Sequence, residues 1–162
     1  MKVGILTVSD KGAKGEREDR SGPAIRELVE AAGGQVVRTR IVPDEQADIR
    51  AALIAWSDEG WDLVLTTGGT GFSPRDWTPE ATRSVIEREA PGLAEAMRRA
   101  GAERTPTAVL SRAVAGLRKT TLIINLPGSE KAVRESLEAI LPVLPHAIGV
   151  LKGTDTECGR HD

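Results

Sequence analysis

The densest chemistry in the chain lies in Thr66-Thr67-Gly68-Gly69-Thr70-Gly71 and the Phe72-Ser73-Pro74-Arg75-Asp76 that follows. Glycines let the backbone take positive φ and bring its N–H groups close to a ligand. Successive N–H groups of that kind form a concavity suited to phosphate. Thr67 and Thr70 add hydroxyl donors. A plain tight turn after a strand accounts for the same letters. The pattern is neither a Walker loop, which needs Gly-Lys-Ser/Thr, nor the six-residue dinucleotide fingerprint. Pro127-Gly128-Ser129 is a second anion candidate. It precedes a helical stretch whose N-terminus carries about half a positive charge. Ser129 equally suits a simple N-cap.

Two carboxylates join these loops, Asp44 and Asp76. Carboxylates beside phosphates suggest Mg²⁺, a hard cation that takes oxygen ligands and keeps several waters. Asp44 also suits an N-cap, and Asp76 an Asx-type turn before Thr78. Arg75 and Arg112 are candidate phosphate clamps, since guanidinium binds phosphate bidentately; solvated surface charge is the alternative for both. Trp77 suits either a pocket for a flat heterocycle or the core. His146 falls in a helical segment and reads as packed or exposed. Cys158 and His161 are spaced like half a metal site, two ligands short of a structural zinc centre. No Ser/His/Asp constellation is evident. With two histidines, both near the C-terminus, general-base catalysis by His is not expected.

Strand-like and helix-like segments alternate around these residues. Val3 to Val8 reads as a buried strand, followed by a polar loop from Ser9 to Arg20. Ile25, Leu28, Val29 and Ala32 recur at helical spacing, with Ser21 as the cap and Gly33-Gly34 as the stop. Val36 to Val42 reads as a strand closed by Pro43-Asp44. A helix through Ile49, Ala52, Leu53 and Trp56 ends at Gly60. Leu63 to Thr67 is apolar enough to be central. Thr78 should cap a third helix with Pro79 at its first position. Pro91-Gly92 breaks that helix before another at Leu93, Ala96, Met97 and Ala100. Thr105 to Leu117 reads as irregular structure or short strands. Thr121 to Leu126 is a strand. A last helix buries Val133, Leu137, Ile140, Leu141 and Leu144, kinked or split at Pro142 and Pro145.

Alternating β and α in this order predicts an α/β fold, a three-layer α/β/α sandwich with a mostly parallel central sheet. Residues 1–153 read as a single domain and 154–162 as a loose polar tail. In such sheets ligands bind at the carboxyl ends of the strands. That rule gathers Ser9-Asp10, Pro43-Asp44-Glu45, the glycine loop and Pro127-Gly128-Ser129 on one edge.

Composition narrows the partners. The chain has 162 residues, 40% hydrophobic and 28% charged, which excludes a disordered chain. Its net charge of −2 argues against a general nucleic-acid binder. With 2% aromatic residues it has few platforms for stacking bases. One cysteine precludes an internal disulfide and suits a reducing compartment. No apolar stretch approaches the ~20 residues of a membrane helix, and Met1 to Val8 is too short and too soon interrupted for a signal peptide to be expected there. A soluble, cytoplasmic protein is expected.

Together, Thr66-Thr67-Gly68-Gly69-Thr70-Gly71, Arg75-Asp76 and Thr78-Pro79-Glu80-Ala81-Thr82 resemble the signature of the MogA/MoaB family of molybdenum cofactor biosynthesis proteins. Ser9-Asp10, Ile41-Val42-Pro43-Asp44-Glu45, Leu110-Ser111-Arg112-Ala113 and Leu126-Pro127-Gly128-Ser129 extend the resemblance from Val3 to about Leu151. The resemblance implies a molybdopterin adenylyltransferase. Such an enzyme uses Mg²⁺ to join molybdopterin to AMP from ATP, the terminal phosphate of the pterin attacking the α-phosphorus with release of pyrophosphate. The product then passes to a molybdate-inserting protein, and members are homotrimers or hexamers. By the same pattern Asp44 and Asp76 are the catalytic carboxylates and metal ligands. Ser9, Asp10, Thr67, Gly68, Gly69, Thr70, Gly71, Arg75, Thr78, Ser111, Arg112, Pro127, Gly128 and Ser129 bind substrate. A MoaB-type carrier that holds molybdopterin without chemistry is the alternative. A CinA-type nucleotide hydrolase usually has Gly-Leu-Gly-Pro in place of Gly69-Thr70-Gly71-Phe72, which disfavours that reading.

Overall fold

Alternate residues of the central strands feed two different cores. In a computed structural model that describes residues 1–155, β1 (Lys2–Val8) sends Val3 and Ile5 to one face and Leu6 and Val8 to the other. β3 (Leu63–Thr67) and β6 (Thr121–Leu126) divide in the same way, with Leu65 and Ile124 on the first face and Val64 and Ile123 on the second. From Val3 onward β1, and the whole of β3 and β6, are therefore buried without interruption, polar residues such as Thr66 and Asn125 included, as happens in a sheet covered on both sides.

The first core takes its helices from α2 (Ser21–Ala31), α5 (Pro91–Ala102), α6 (Glu130–Ile140) and α7 (Leu144–Lys152). The second takes α3 (Gln46–Asp58) and α4 (Thr78–Arg83). In the second core Trp56 packs on Trp61 with ring centroids 5.0 Å apart. Both rings are buried, at 2% and 7% exposure, whereas Trp77 is 43% exposed.

The six strands run in the order β2-β1-β3-β6-β5-β4, where β2 is Gln35–Val42, β4 Arg88–Glu89 and β5 Ala115–Arg118. The four strands from β2 to β6 pair in parallel, and β5 and β4 add an antiparallel edge. The expected three-layer sandwich is present. A buried network locks β6 to its neighbours. Asn125 donates to the hydroxyls of Thr66 at 3.0 Å and Thr82 at 2.8 Å, and accepts from Val114 N–H at 3.1 Å.

Local details depart from the sequence reading where tertiary contacts outweigh residue type. The loop after β1 contains one short helix, α1 (Asp10–Ala13), with Ser9 as its cap. Ser21 does not cap α2: Arg20 holds the N-cap position, and the Asp19 carboxylate just before it accepts from the Gly22 N–H at 3.0 Å and the Ser21 hydroxyl at 3.1 Å. Thr78 does not cap α4 either; Trp77 holds that position and the Thr78 hydroxyl is used elsewhere. α4 stops at Arg83, well before Pro91, which opens α5. Thr105 to Leu117 resolves into a 3₁₀ turn at Pro106–Leu110 and part of β5. The last helix is split as its prolines demand, by a 3₁₀ turn at Leu141–Val143. His146 pairs with Asp155 across 2.6 Å at the surface. Cys158 and His161 lie outside the described residues. Among those described, no helix is long and apolar enough to cross a membrane.

Candidate active site

Connections leave β1 toward β2 on one side and the sheet continues through β3 on the other, so the carboxyl ends of β1 and β3 flank a topological switch point, where open sheets bind ligands. A cleft of about 750 Å³ opens there. Ser9, Asp44, Thr67, Gly68, Gly69, Asp76, Gly128 and Ser129 all line it. A second cavity of about 630 Å³ lies toward α5 and α6 and takes in Thr70, Gly71, Ser111 and Pro127. The two share Gly69, Asp76, Gly128 and Ser129.

The glycine turn is built for close approach. Gly68 sits at φ +96° and Gly69 at φ +67°, conformations that L side chains rarely adopt. Side chains from distant elements fasten it. The Thr78 hydroxyl donates to Gly68 O at 2.9 Å, and the Thr67 hydroxyl to Pro127 O at 2.6 Å. Arg112 reaches back across the loop, donating from Nε to Gly71 O at 2.8 Å and from Nη2 to Asp76 O at 2.7 Å, and it pairs with Glu80. Asp76 closes the loop from within, its Oδ2 accepting from Gly71 N–H at 3.0 Å and Ser73 N–H at 3.1 Å.

Asp44 is held as firmly. Asp10 N–H donates to Asp44 Oδ2 at 2.8 Å while Asp44 N–H donates to Asp10 Oδ1 at 3.0 Å, a reciprocal pair between the loops after β1 and β2. Glu45, not Asp44, stands at the N-cap position of α3, and its side chain makes no capping hydrogen bond there. Arg75 grips Asp10 with Nε at 3.0 Å and Nη2 at 2.9 Å, and reaches Glu45 at 2.8 Å. Its hydrogen bonds to Asp10 and Glu45 raise the proton affinity of Arg75, and in return Arg75 holds the Asp10 carboxyl below the ordinary aspartate range. Asp44 moves the other way. Burial, with the nearby charges of Asp10 and Asp76, raises its carboxyl above the ordinary value despite the bond from Asp10 N–H.

Asp10, Arg75, Thr78 and Arg112 therefore line neither cavity; each holds a wall of the site in place. Sequence reading missed several residues that do line them. Thr7 and the Arg17 to Arg20 segment face the first cleft, fixed by the Thr7 hydroxyl donating to Asp19 at 2.8 Å. Met97, Glu135 and Ser136 face the second. An Asp two residues ahead of a helix-starting Ser was a legible capping signal. The helical residues carried none.

Oδ1 of Asp44 and Oδ1 of Asp76 accept no hydrogen bond among the described residues. No cluster of three or more His, Cys, Asp or Glu side chains arranged to hold a metal ion occurs among them either. The donor set fits a cation that takes one or two carboxylates and draws its remaining oxygens from water and substrate phosphate, as Mg²⁺ does.

The strain on Asp44 has a measurable consequence. A carboxyl raised in the folded state favours folding at low pH and loses that contribution as pH rises through its folded value. Ionised Asp44 thus opposes folding at neutral pH in the absence of a divalent cation. Asp44→Asn keeps an acceptor for Asp10 N–H and removes the repulsion. Asp44→Asn should therefore melt higher than wild type at pH 7, by no more than a few degrees, because solvent screens a partly exposed group. The gain should vanish below the ordinary aspartate value of 3.8. Thermal melts of both proteins across pH check it; equal Tm values at pH 7 would remove the proposed strain.

A family model described as "Probable molybdopterin binding domain" matches residues 4–146. The chain is 45% identical over 154 residues to the molybdopterin adenylyltransferase of Helicobacter pylori strain J99, covering 93% of this chain and 88% of that one. It is 43% identical to gephyrin of Dictyostelium discoideum over 92% of its own length, but spans only 22% of that longer protein. The crystal structure of the molybdopterin biosynthesis enzyme MoaB from Thermus thermophilus superposes with a TM-score of 0.90 at 58% identity, covering 94% of this chain and 96% of that one. With its glycine turn, its paired aspartates and these matches along nearly its whole length, the chain belongs to the MogA/MoaB family of molybdopterin-binding proteins.

Proposed function

We propose that the chain is a molybdopterin adenylyltransferase of molybdenum cofactor biosynthesis, moving AMP from ATP to the terminal phosphate of molybdopterin. The observation that carries this reading is the pair Asp44 and Asp76 flanking the Gly68-Gly69 turn where two cavities meet. A carrier has no need of two carboxylates beside phosphate, or of a second cavity.

An oxygen of the pterin's terminal phosphate forms a bond to the α-phosphorus of ATP. The bond from that phosphorus to the β-phosphate oxygen breaks, and its electron pair leaves with pyrophosphate. Catalysis of such a transfer rests on positioning and charge neutralisation. The turn's backbone supports close approach of phosphate. The hydroxyls of Ser9 and Ser129 each accept one backbone N–H, at 3.0 and 3.2 Å, and each retains its own proton for a ligand. The N-terminus of α6 adds its partial positive charge. Asp44 and Asp76 are the residues that would hold Mg²⁺. The ion would neutralise charge developing on the transferred phosphate and the departing pyrophosphate. Arg75 and Asp10 act on the reaction by fixing Asp44.

The test mixes the purified protein with molybdopterin, ATP and Mg²⁺ and seeks the pterin–AMP adduct by mass spectrometry. Adduct supports the transferase. Tight pterin binding without adduct leaves the carrier, and AMP formed without pterin makes water the nucleophile. The proposed setting is the cytoplasm, with the adenylylated pterin handed to a molybdate-inserting protein. The proposed assembly is a homotrimer or hexamer, checked by light scattering.

A further inference from the structure

The second cavity contains a carboxylate for which the fold provides no donor. Glu135 lies on α6 with its side chain 8% exposed, on the cavity wall. Among the described residues no N–H or O–H hydrogen-bonds to it. Its charged neighbours, Arg104 Nη1 at 3.8 Å and Lys131 Nζ at 3.9 Å, stop short of hydrogen-bond distance, and both are mostly exposed. A buried carboxylate costs stability unless its oxygens receive hydrogen bonds. The turn of helix around it is otherwise occupied, with Val133 and Leu137 in the core.

We propose that Glu135 is the residue that recognises the pterin, accepting two parallel hydrogen bonds from N3–H and the 2-amino group of a 2-amino-4-oxopyrimidine ring. The assignment rests on the adenylyltransferase reading and deepens it. Met97, Ala108 and Leu110 give the same cavity an apolar lining for a flat ring, and its ~630 Å³ falls in the range of small-molecule sites. Six residues of helix separate Glu135 from Ser129, a rise of about 9 Å. A ring held at Glu135 therefore directs its phosphate-bearing arm toward Gly128 and Ser129, which both cavities share. Adenine fails at this position, because its edge sets a bare ring nitrogen beside its amino group and a carboxylate repels that lone pair. Glu135 thus sorts the two substrates, pterin into this cavity and nucleotide into the cleft beside Asp44.

The probes are 6,7-dimethylpterin and 6,7-dimethyllumazine, which differ only in the amino or oxo group at C2. Titrated into the whole protein and followed by ligand fluorescence, wild type should bind the pterin about tenfold or more tightly than the lumazine, the discrimination of one good bidentate pair. Glu135→Gln offers one acceptor and one donor, which matches N3–H and the oxo group, so the preference should reverse. Glu135→Ala should lose the preference altogether, and thermal melts establish that each variant is folded. Equal affinity of wild type for the two rings, including no binding of either up to millimolar concentration, overturns the assignment. So does an unchanged preference in folded Glu135→Gln. If wild type still forms the AMP adduct, only this assignment has failed; a reversed preference with no adduct fails the transferase reading alone.

Discussion

Asp76→Asn should lower the rate of adduct formation by about 10²–10³-fold, the usual scale for losing one preorganised electrostatic group, while leaving the fold intact. The two effects separate because the proposed site gives the carboxylate two jobs, one for each oxygen. Oδ2 accepts from Gly71 and Ser73 N–H, and an amide oxygen accepts the same bonds. The loop is held besides by Arg112, whose grip on the carbonyls of Gly71 and Asp76 the substitution leaves alone. Melting should therefore move by no more than about 2 °C, within the range of neutral surface changes. What disappears is the negative charge at Oδ1, replaced by an N–H₂ that neither a cation nor a phosphate oxygen can use as a carboxylate is used. Single-turnover rates at saturating ATP, with a Mg²⁺ titration beside them, check it. Asp76→Ala supplies the contrast, losing the loop bonds as well and melting lower. Wild-type rates in Asp76→Asn would take Asp76 out of the reaction.

Gly68→Ala should be among the most damaging single methyl groups the protein can accept. At φ +96° an alanine is strained before it touches anything. Its Cβ would also run into the carbonyl oxygen of Val8. That oxygen belongs to β1, paired with β2 on one side and β3 on the other, so the obstacle is backbone and cannot swing away. Strain and clash together are worth about 3–4 kcal/mol, or roughly 6–16 °C in Tm. Gly60→Ala is the matched control: its φ is +75° but nothing stands within 4 Å of the added carbon. It should show the strain alone, about 1–2 kcal/mol. Thermal unfolding followed by circular dichroism distinguishes the two. Equal losses would mean that the Val8 contact relaxes and that the tightness of the turn is not fixed by β1. Below its melting point Gly68→Ala should still lose adduct formation, because the displaced turn no longer presents its backbone to phosphate.

The core was legible because periodicity reports burial directly. Val3 to Val8, Leu63 to Thr67 and Thr121 to Leu126 are short runs dominated by apolar and β-branched residues, and the structure makes each a strand of the parallel sheet. The antiparallel edge was not, since a two-residue strand such as Arg88–Glu89 has no period to read. The glycine turn, Asp44, Asp76 and Ser129 were reachable from residue type and from the rule that ligands gather at strand ends. The division between residues that face the cavities and residues that hold them was not. Arg75 reads as a phosphate clamp until its partners are known, and those partners, Asp10 and Glu45, lie 65 and 30 positions away. Thr78 reads as a cap, yet its hydroxyl goes to Gly68. Hydrogen bonds over such separations leave no local pattern. Glu135 was invisible for a related reason: a glutamate on a helix is ordinarily solvated, and its burial arises only in the folded packing.

The uneven placement of the three tryptophans equips the protein with its own optical reporter. With no tyrosine in the chain, its ultraviolet emission comes almost wholly from indoles. Trp56 and Trp61 are sealed in the second core, and Trp77 stands open beside Asp76. The two sealed rings should emit toward the blue and resist iodide, and the open one should emit toward the red and be quenched. Unfolding should then move the emission of the two sealed rings to the red and open them to iodide, while the quenchable fraction from Trp77 reports the surface beside the glycine loop, so the two can be read separately without a label.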